Sequence, residues 1–267
     1  MNTTRNTSNK QIFDEMTELQ NELEEALEEM MEQIGNKLKP EEKDEIEKEM
    51  KDTQELIEQL KSGYVYVALF GNTSVGKSAI ANSLVGADLA EVGPEHDLTQ
   101  APEAYEKDSW RIVDVPGILG NQVQQKIAIE EAKRAHGHIF VIQGEPYGPE
   151  LELFNLIHQN QPDAPKIVFV NKWDIVEATR TKKDIETIQT RIWEKMGKFV
   201  NSPEDIVYGS AELFDRDRDE IVRQELPKLL ERMYENIGTW GQVMNLLDPA
   251  RRSEDLIKSI RYKIKMS

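Results

Sequence analysis

Residues Tyr64–Gly86 read YVYVALFGNTSVGKSAIANSLVG. An apolar run of strand-like period stops at Gly71, and a helix-like run begins near Lys77. Between them Gly71-Asn72-Thr73-Ser74-Val75-Gly76-Lys77-Ser78 satisfies G-x-x-x-x-G-K-[ST] in full. Two glycines let the backbone curl so that successive N–H groups face one anion. The helix that follows adds the positive end of its dipole. Lys77 would place a point charge on the β- and γ-phosphates, and the Ser78 hydroxyl would be a ligand for Mg²⁺. The run Asn72, Thr73, Ser74, Val75, Gly76, Lys77, Ser78 and Ala79 is therefore the expected phosphate-binding segment.

Outward from this loop, strands and helices alternate. Strands are expected at Tyr64–Phe70, Trp110–Val115, His138–Gln143, Lys166–Val170 and Ile206–Tyr208, with a weaker one near Ala104–Glu106. Helices are expected at Lys77–Val85, Gln125–Ala135, Glu150–Asn160, Lys183–Phe199 and Glu220–Ile237. That alternation predicts an α/β domain with a six-stranded, mostly parallel sheet and helices on both faces. Ligands of such sheets sit at the carboxyl ends of the strands.

Three short segments close strands there in order: Asp114-Val115-Pro116-Gly117, Asn171-Lys172-Trp173-Asp174 and Gly209-Ser210-Ala211. Together with the phosphate loop they resemble the Ras-like P-loop GTPases, nearest the translation-factor-related branch that includes Era-like and dynamin-like proteins. The resemblance runs from about Tyr64 to Ile237. It implies GTP and GDP as ligands, with Mg²⁺. A carboxylate can accept two hydrogen bonds from guanine's N1–H and 2-amino group, a donor pair that adenine lacks, so Asp174 is the expected reader of the base. By the family pattern Asn171 would contact the base edge and hold the loops together. Lys172 would lay its stem across the purine. The Ala211 N–H would meet the guanine oxygen, with Ser210 bracing that loop. Asp114 would hold Mg²⁺ through a water, and the Gly117 N–H would meet the γ-phosphate. Thr99, the only threonine between Gly86 and Trp110, is the candidate second hydroxyl ligand of Mg²⁺. Lys77, Thr99 and Gly117 form the expected catalytic set.

The chain departs from the pattern after Gly117. Many small GTPases carry a glutamine there that orients the attacking water; this chain has Ile118. Isoleucine cannot orient water, so slow intrinsic hydrolysis is expected, stimulated by dimerisation or by a partner. No arginine can be named as a finger, and Gln122, Gln124 and Gln125 stand nearby without assigned roles. Relatives activated by potassium often carry asparagine where this chain has Ser74, which leaves activation by K⁺ open.

The totals constrain the rest. Of 267 residues 38% are apolar, enough for one real core, and 50 acidic against 33 basic residues give a net charge of −17. That excess argues against nucleic acid or an anionic membrane as a partner for the whole surface. Cysteine is absent, so disulfides and thiolate chemistry are excluded. Four scattered histidines make no zinc site. No apolar run is long enough to span a bilayer, and the first residues lack the apolar core of a signal peptide. A cytoplasmic protein is expected.

Residues 1–10 are polar and expected to be disordered. Residues 11–62 show an apolar rhythm of fours and threes: Ile12, Met16, Leu19, Leu23, Ala26, Met30, then Ile46, Met50, Thr53, Ile57, Leu60. Such a narrow seam suits a coiled coil or helical hairpin, broken near Gly35 and restarted at Pro40. The hairpin is acidic, and either folds back on its own domain or serves as an arm for self-association or a partner. The GTPase domain is expected over 63–238. The tail, 239–267, carries Leu256, Ile257, Ile260 and Ile264 interleaved with Lys258, Arg261, Lys263 and Lys265. This basic amphipathic helix would dock on the acidic hairpin, with peripheral contact to anionic lipid as the less favoured use. The sequence thus predicts a GTP-hydrolysing switch, with two alternatives. One is a GTP-responsive interaction protein with negligible hydrolysis. The other is a small dynamin-like or ribosome-associated assembly factor.

Overall fold

In this computed structural model the described residues are 64–86, 101–117, 122–215, 217–238 and 241, together with Glu25, Pro40, Glu41, Asp44, Lys48 and Lys51. By its contacts the chain divides into residues 1–64 with 242–267, and Val65–Gly241. In the first unit those six isolated residues are helical and exposed. The rest of the expected hairpin, its seam and the amphipathic tail lie outside the described residues.

The second unit is built on one sheet. Its strands are β1 (Val65–Phe70), β2 (Glu103–Lys107), β3 (Trp110–Asp114), β4 (Gly137–Ile142), β5 (Lys166–Val170) and β6 (Ile206–Tyr208), in the spatial order β2-β3-β1-β4-β5-β6. All neighbours run parallel except the edge strand β2, which pairs antiparallel with β3. In β1, β4 and β5 every residue is buried, as a parallel sheet covered on both faces requires. The period of two then sorts the core. Tyr66, Ala68, Phe70, Phe140, Ile142, Val168 and Val170 face one way, while Val65, Val67, Leu69, Ile139, Val141, Ile167 and Phe169 face the other.

Among the described residues six α-helices flank the sheet: α1 (Lys77–Val85), α2 (Gln122–Arg134), α3 (Gly148–Asn160), α4 (Trp173–Thr179), α5 (Lys182–Met196) and α6 (Pro227–Arg232). The first face packs on Ala128 and Ala132 of α2, Leu153, Phe154 and Ile157 of α3, and Ile192 and Met196 of α5. The second packs on Ala79, Ile80 and Leu84 of α1 and Leu229 of α6. Phe140 stacks on Phe154 with ring centroids 4.3 Å apart, an arrangement that adds about 0.5–1.5 kcal/mol beyond burial.

The expected helix over Glu220–Ile237 is corrected. Its first residues form a strand, β8 (Glu220–Arg223), antiparallel to β7 (Glu212–Asp215). The hairpin turn is local: Asp215 Oδ1 accepts from the N–H groups of Asp217 and Arg218, at 2.9 and 3.3 Å, and Asp219 adopts φ 54°. Pro227 has no N–H to give inside a helix and instead opens α6 at its first turn. A π-helical turn, Met233–Gly238, follows. The helix expected to reach Phe199 is α-helical only to Met196 and tightens to a 3₁₀ turn at Gly197–Phe199. Buried Asp205 fixes the last helix, accepting from Arg232 Nε and Nη2 at 3.1 and 2.6 Å.

Fully buried His138 on β4 has its Nε2 2.9 Å from the Ala132 carbonyl, so the neutral ring donates there. Burial pushes its pKa down to about 3. The unfolded histidine, near its usual 6.5, binds a proton that the folded one refuses. Its contribution to stability is therefore complete above about pH 6.5 and is lost as pH falls toward 3. Between pH 6 and 5 the unfolding free energy is expected to fall by up to about 1.4 kcal/mol per pH unit from this group. Chemical denaturation of His138→Gln should show a correspondingly flatter pH profile in that window.

Candidate nucleotide site

The chain leaves β1, whose neighbours β3 and β4 are reached by connections in opposite directions. This is the switch point where a crevice opens at the carboxyl ends of a parallel sheet. Ser74 (φ 65°) and Gly76 (φ 91°) both take the left-handed conformation, which curls the loop before α1 starts at Lys77. At Gly76 a Cβ would lie 2.3 Å from Asn171 Nδ2, so only glycine fits. Lys77 is buried and bends back over the loop, its Nζ donating to the carbonyls of Gly71 and Asn72 at 3.3 and 3.1 Å. Val75 and Ala79 are buried beside it.

Ser78 Oγ donates to Asp114 Oδ2 at 2.5 Å. Asp114 ends β3 with 1% of its surface exposed, and its Oδ1 has no hydrogen-bond partner among the described residues. Burial pushes this carboxyl up, and Glu103 adds to the rise, while the Lys77 charge and the Ser78 hydrogen bond oppose it. A hydroxyl and a carboxylate side by side, with one buried oxygen unsatisfied, fit a hard divalent cation such as Mg²⁺. At Gly117 a Cβ would fall 2.5 Å from the Thr73 nitrogen and 2.6 Å from Thr73 Oγ1. The segment after β3 thus meets the phosphate loop backbone to backbone. Thr99 and Ile118 lie outside the described residues.

The other end of the crevice is organised by Asn171, which is 4% exposed. Its Nδ2 donates to the Val75 carbonyl at 2.9 Å and its Oδ1 accepts from the Ala211 N–H at 3.0 Å. The N–H expected at a guanine oxygen is thus bonded to Asn171. Lys172 adopts φ 58° and reaches back with Nζ 3.4 Å from the Ser74 carbonyl. Ser210 and Asp174 are reciprocally bonded: Ser210 Oγ donates to Asp174 Oδ1 and accepts from the Asp174 N–H at 3.1 Å. Trp173 N–H donates to the Gly209 carbonyl at 3.1 Å. Strand ends 40 residues apart in sequence are thereby brought into one site.

Two residues with no expected role also reach the phosphate loop. Gln143 Nε2 donates to the Ser74 carbonyl at 2.8 Å, and Tyr147 Oη accepts from Asn72 Nδ2 at 2.5 Å. Both come from the connection after β4, whose position next to β1 was the available signal.

A glycine-rich loop between the central strand and α1, with strand-end loops gathered about it, defines a P-loop nucleotide-binding domain. Residues 66–172 match the family described as 50S ribosome-binding GTPase. The chain is 29% identical over 122 residues to GTPase Der of Syntrophotalea carbinolica, covering 41% of this chain and 28% of that protein. It is 28% identical over 151 residues to GTPase Era of Fusobacterium nucleatum, covering 52% and 49%. It is 30% identical over 127 residues to GTPase Era of Campylobacter lari, covering 44% and 42%. The chain spans about half or less of the length of these relatives. Over residues 66–172 the chain is thus similar to the GTPase domains of that family and of Era and Der.

The raised Asp114 carboxyl sets a test. Because its folded pKa lies above the unfolded value, the stability linked to it is present at acid pH and is lost as pH rises through the folded pKa. Asp114→Asn should therefore raise the thermal midpoint of Mg²⁺-free protein at pH 7. The same substitution should shrink the part of any further rise with nucleotide that depends on added Mg²⁺. Differential scanning fluorimetry with and without Mg²⁺ reads both effects.

Proposed function

We propose that this domain binds GTP with Mg²⁺ and hydrolyses it to GDP and phosphate, acting as a nucleotide-dependent switch. The observation that carries the reading is the Asn171 bridge, which locks the Asp174 and Ser210 segments onto the phosphate loop. In this reading Asp174 accepts the guanine N1–H and 2-amino groups, Ser210 orients that carboxylate, and the Lys172 stem covers the purine. Backbone N–H groups of Asn72–Ala79 and the Lys77 ammonium hold the β- and γ-phosphates. Ser78, Asp114 and Thr99 supply oxygens to Mg²⁺, which offsets phosphate charge when bound. The Gly117 N–H meets the γ-phosphate, so its packing against Thr73 couples the segment after β3 to nucleotide state. The names of the Era and Der relatives support GTP hydrolysis.

Ile118 supports a slow intrinsic rate, since its side chain has no group to orient water. A second copy of the chain or an effector protein would supply the missing group. The same residue favours a second reading, in which GTP binding alone drives an interaction and hydrolysis is negligible. Among the described residues no helix is long and apolar enough to cross a membrane.

GTP turnover measured against protein concentration, in K⁺ and then Na⁺, with Lys77→Ala as the blank, separates the two. Activity per molecule that rises with concentration supports stimulation by a second copy. Flat activity at the blank level with GTP bound supports the binder, and fast turnover by dilute protein overturns the slow-engine reading. Asp174→Asn should lower GTP affinity at least about tenfold, as a hydrogen bond to a charged acceptor contributes roughly 1.5–3 kcal/mol. It should also admit xanthosine triphosphate, whose C2 oxygen matches the new amide donor. Unchanged preference for GTP would remove Asp174 from base recognition.

A further inference from the structure

The geometry points to Tyr147 as a positioning residue that sets the phosphate loop for the γ-phosphate by fixing Asn72. The inference rests on the GTP reading above and adds a residue, and a loop, that this reading does not use. Asn72 follows the first glycine of the phosphate loop, yet its side chain is 5% exposed. Among the described residues its one side-chain hydrogen bond is Nδ2 to Tyr147 Oη, at 2.5 Å; its Oδ1 is buried without a partner. A buried amide with one half unsatisfied costs about 1–3 kcal/mol.

Tyr147 is itself held. Its N–H donates to Glu150 Oε2 at 3.2 Å and its carbonyl accepts from the Leu151 N–H at 3.1 Å, which anchors it on the first turn of α3. Two residues earlier, Glu145 pairs with Lys195 at 2.7 Å and with Arg191 at 3.7 Å. Lys195 Nζ also donates to the Pro146 carbonyl at 3.0 Å. The connection 143–147 is thus tied to α5 on its outer side. On its inner side it touches the phosphate loop twice, through Gln143 on the Ser74 carbonyl and Tyr147 on Asn72.

The residue between those two contacts is Thr73, whose nitrogen and hydroxyl lie against Gly117. Holding Asn72 and Ser74 therefore fixes Thr73 against the segment that would sense the γ-phosphate. The base-reading loops meet the phosphate loop farther along, through Asn171 on the Val75 carbonyl and Lys172 on the Ser74 carbonyl, and neither contact involves Asn72 or Tyr147. Loosening Tyr147 should accordingly impair recognition of the γ-phosphate and leave recognition of the base and of the inner phosphates largely intact.

The test compares wild type, Tyr147→Phe, Asn72→Ala and the double variant. Affinities are measured for GDP and for a non-hydrolysable GTP analogue, together with the thermal midpoint and kcat. Loss of one hydrogen bond of about 1 kcal/mol corresponds to about fivefold. Tyr147→Phe is expected to lower analogue affinity, and any measurable kcat, by about that factor while GDP affinity changes less than about twofold. The double variant is expected to lose no more than the worse single one, because the two residues act as a unit. Three outcomes would overturn the assignment: a wild-type ratio of analogue to GDP affinity in Tyr147→Phe, equal losses for both nucleotides with a lowered midpoint, or additive losses in the double variant. Wild type indistinguishable from Lys77→Ala in binding either nucleotide would bring down the GTP reading itself, and this inference with it.

Discussion

One buried carboxamide holds the nucleotide end of this domain together. Asn171 spends its donor on the Val75 carbonyl and its acceptor on the Ala211 N–H, so a single side chain joins loops from the ends of β1, β5 and β6. Both partners are backbone groups in a buried setting, where an unmade hydrogen bond costs its full desolvation. The geometry demands Gly76 opposite, since any side chain there would occupy the amide's place. It also sets where Lys172 and Asp174 start, and hence how the Lys172 stem and the Asp174 carboxylate stand to the crevice. No charged pair would do this as well, because neither backbone partner carries a charge to pair with.

The site concentrates the polar groups that the sheet cannot accept elsewhere. Inside, β1, β4 and β5 carry aliphatic and aromatic residues on both faces, with His138 and Lys166 as partnered exceptions. At the carboxyl ends, Asn72, Lys77, Asp114 and Asn171 are all buried within a short distance of the same crevice. Among the described residues, two of them, Asn72 and Asp114, keep an oxygen without a hydrogen-bond partner. Buried polar groups of this kind are tolerated where the rest of the fold over-determines them. Here the two apolar layers, each spanning strands and helices from most of the unit, do so. Stability from the core and readiness at the site are thus spatially separated along the strands.

Much of this architecture is legible in the residues because its signals are local. The five principal strands and the edge strand appear within a residue or two of their expected limits; for β1, β4 and β5 the reason is that a doubly covered parallel strand must be apolar almost throughout. The phosphate loop is legible for a related reason: its conformation depends on glycines and on the strand and helix that flank it. The β7–β8 hairpin was hidden because its acidic, arginine-rich sequence resembles a solvated helix. The structure pairs Leu213 with Val222 across the hairpin. The short helix α4 starts inside the segment that contains Asp174 and spans only seven residues, too few for a helical period to show.

By itself the sequence determined the α/β class of the domain, the phosphate-loop pattern at the end of β1, and the order of the strand-end segments. Those follow from periodicity and from residue types at close spacing. Tertiary structure alone decided which backbone groups Asn171 bonds, that Asp114 stands next to Ser78 with one oxygen left over among the described residues, and that Tyr147 reaches Asn72 across 75 positions of sequence. The physical reason is that a hydrogen bond between distant segments leaves no periodic trace in either. It exists only once the parallel sheet has set β1, β3, β4, β5 and β6 side by side with their carboxyl ends together.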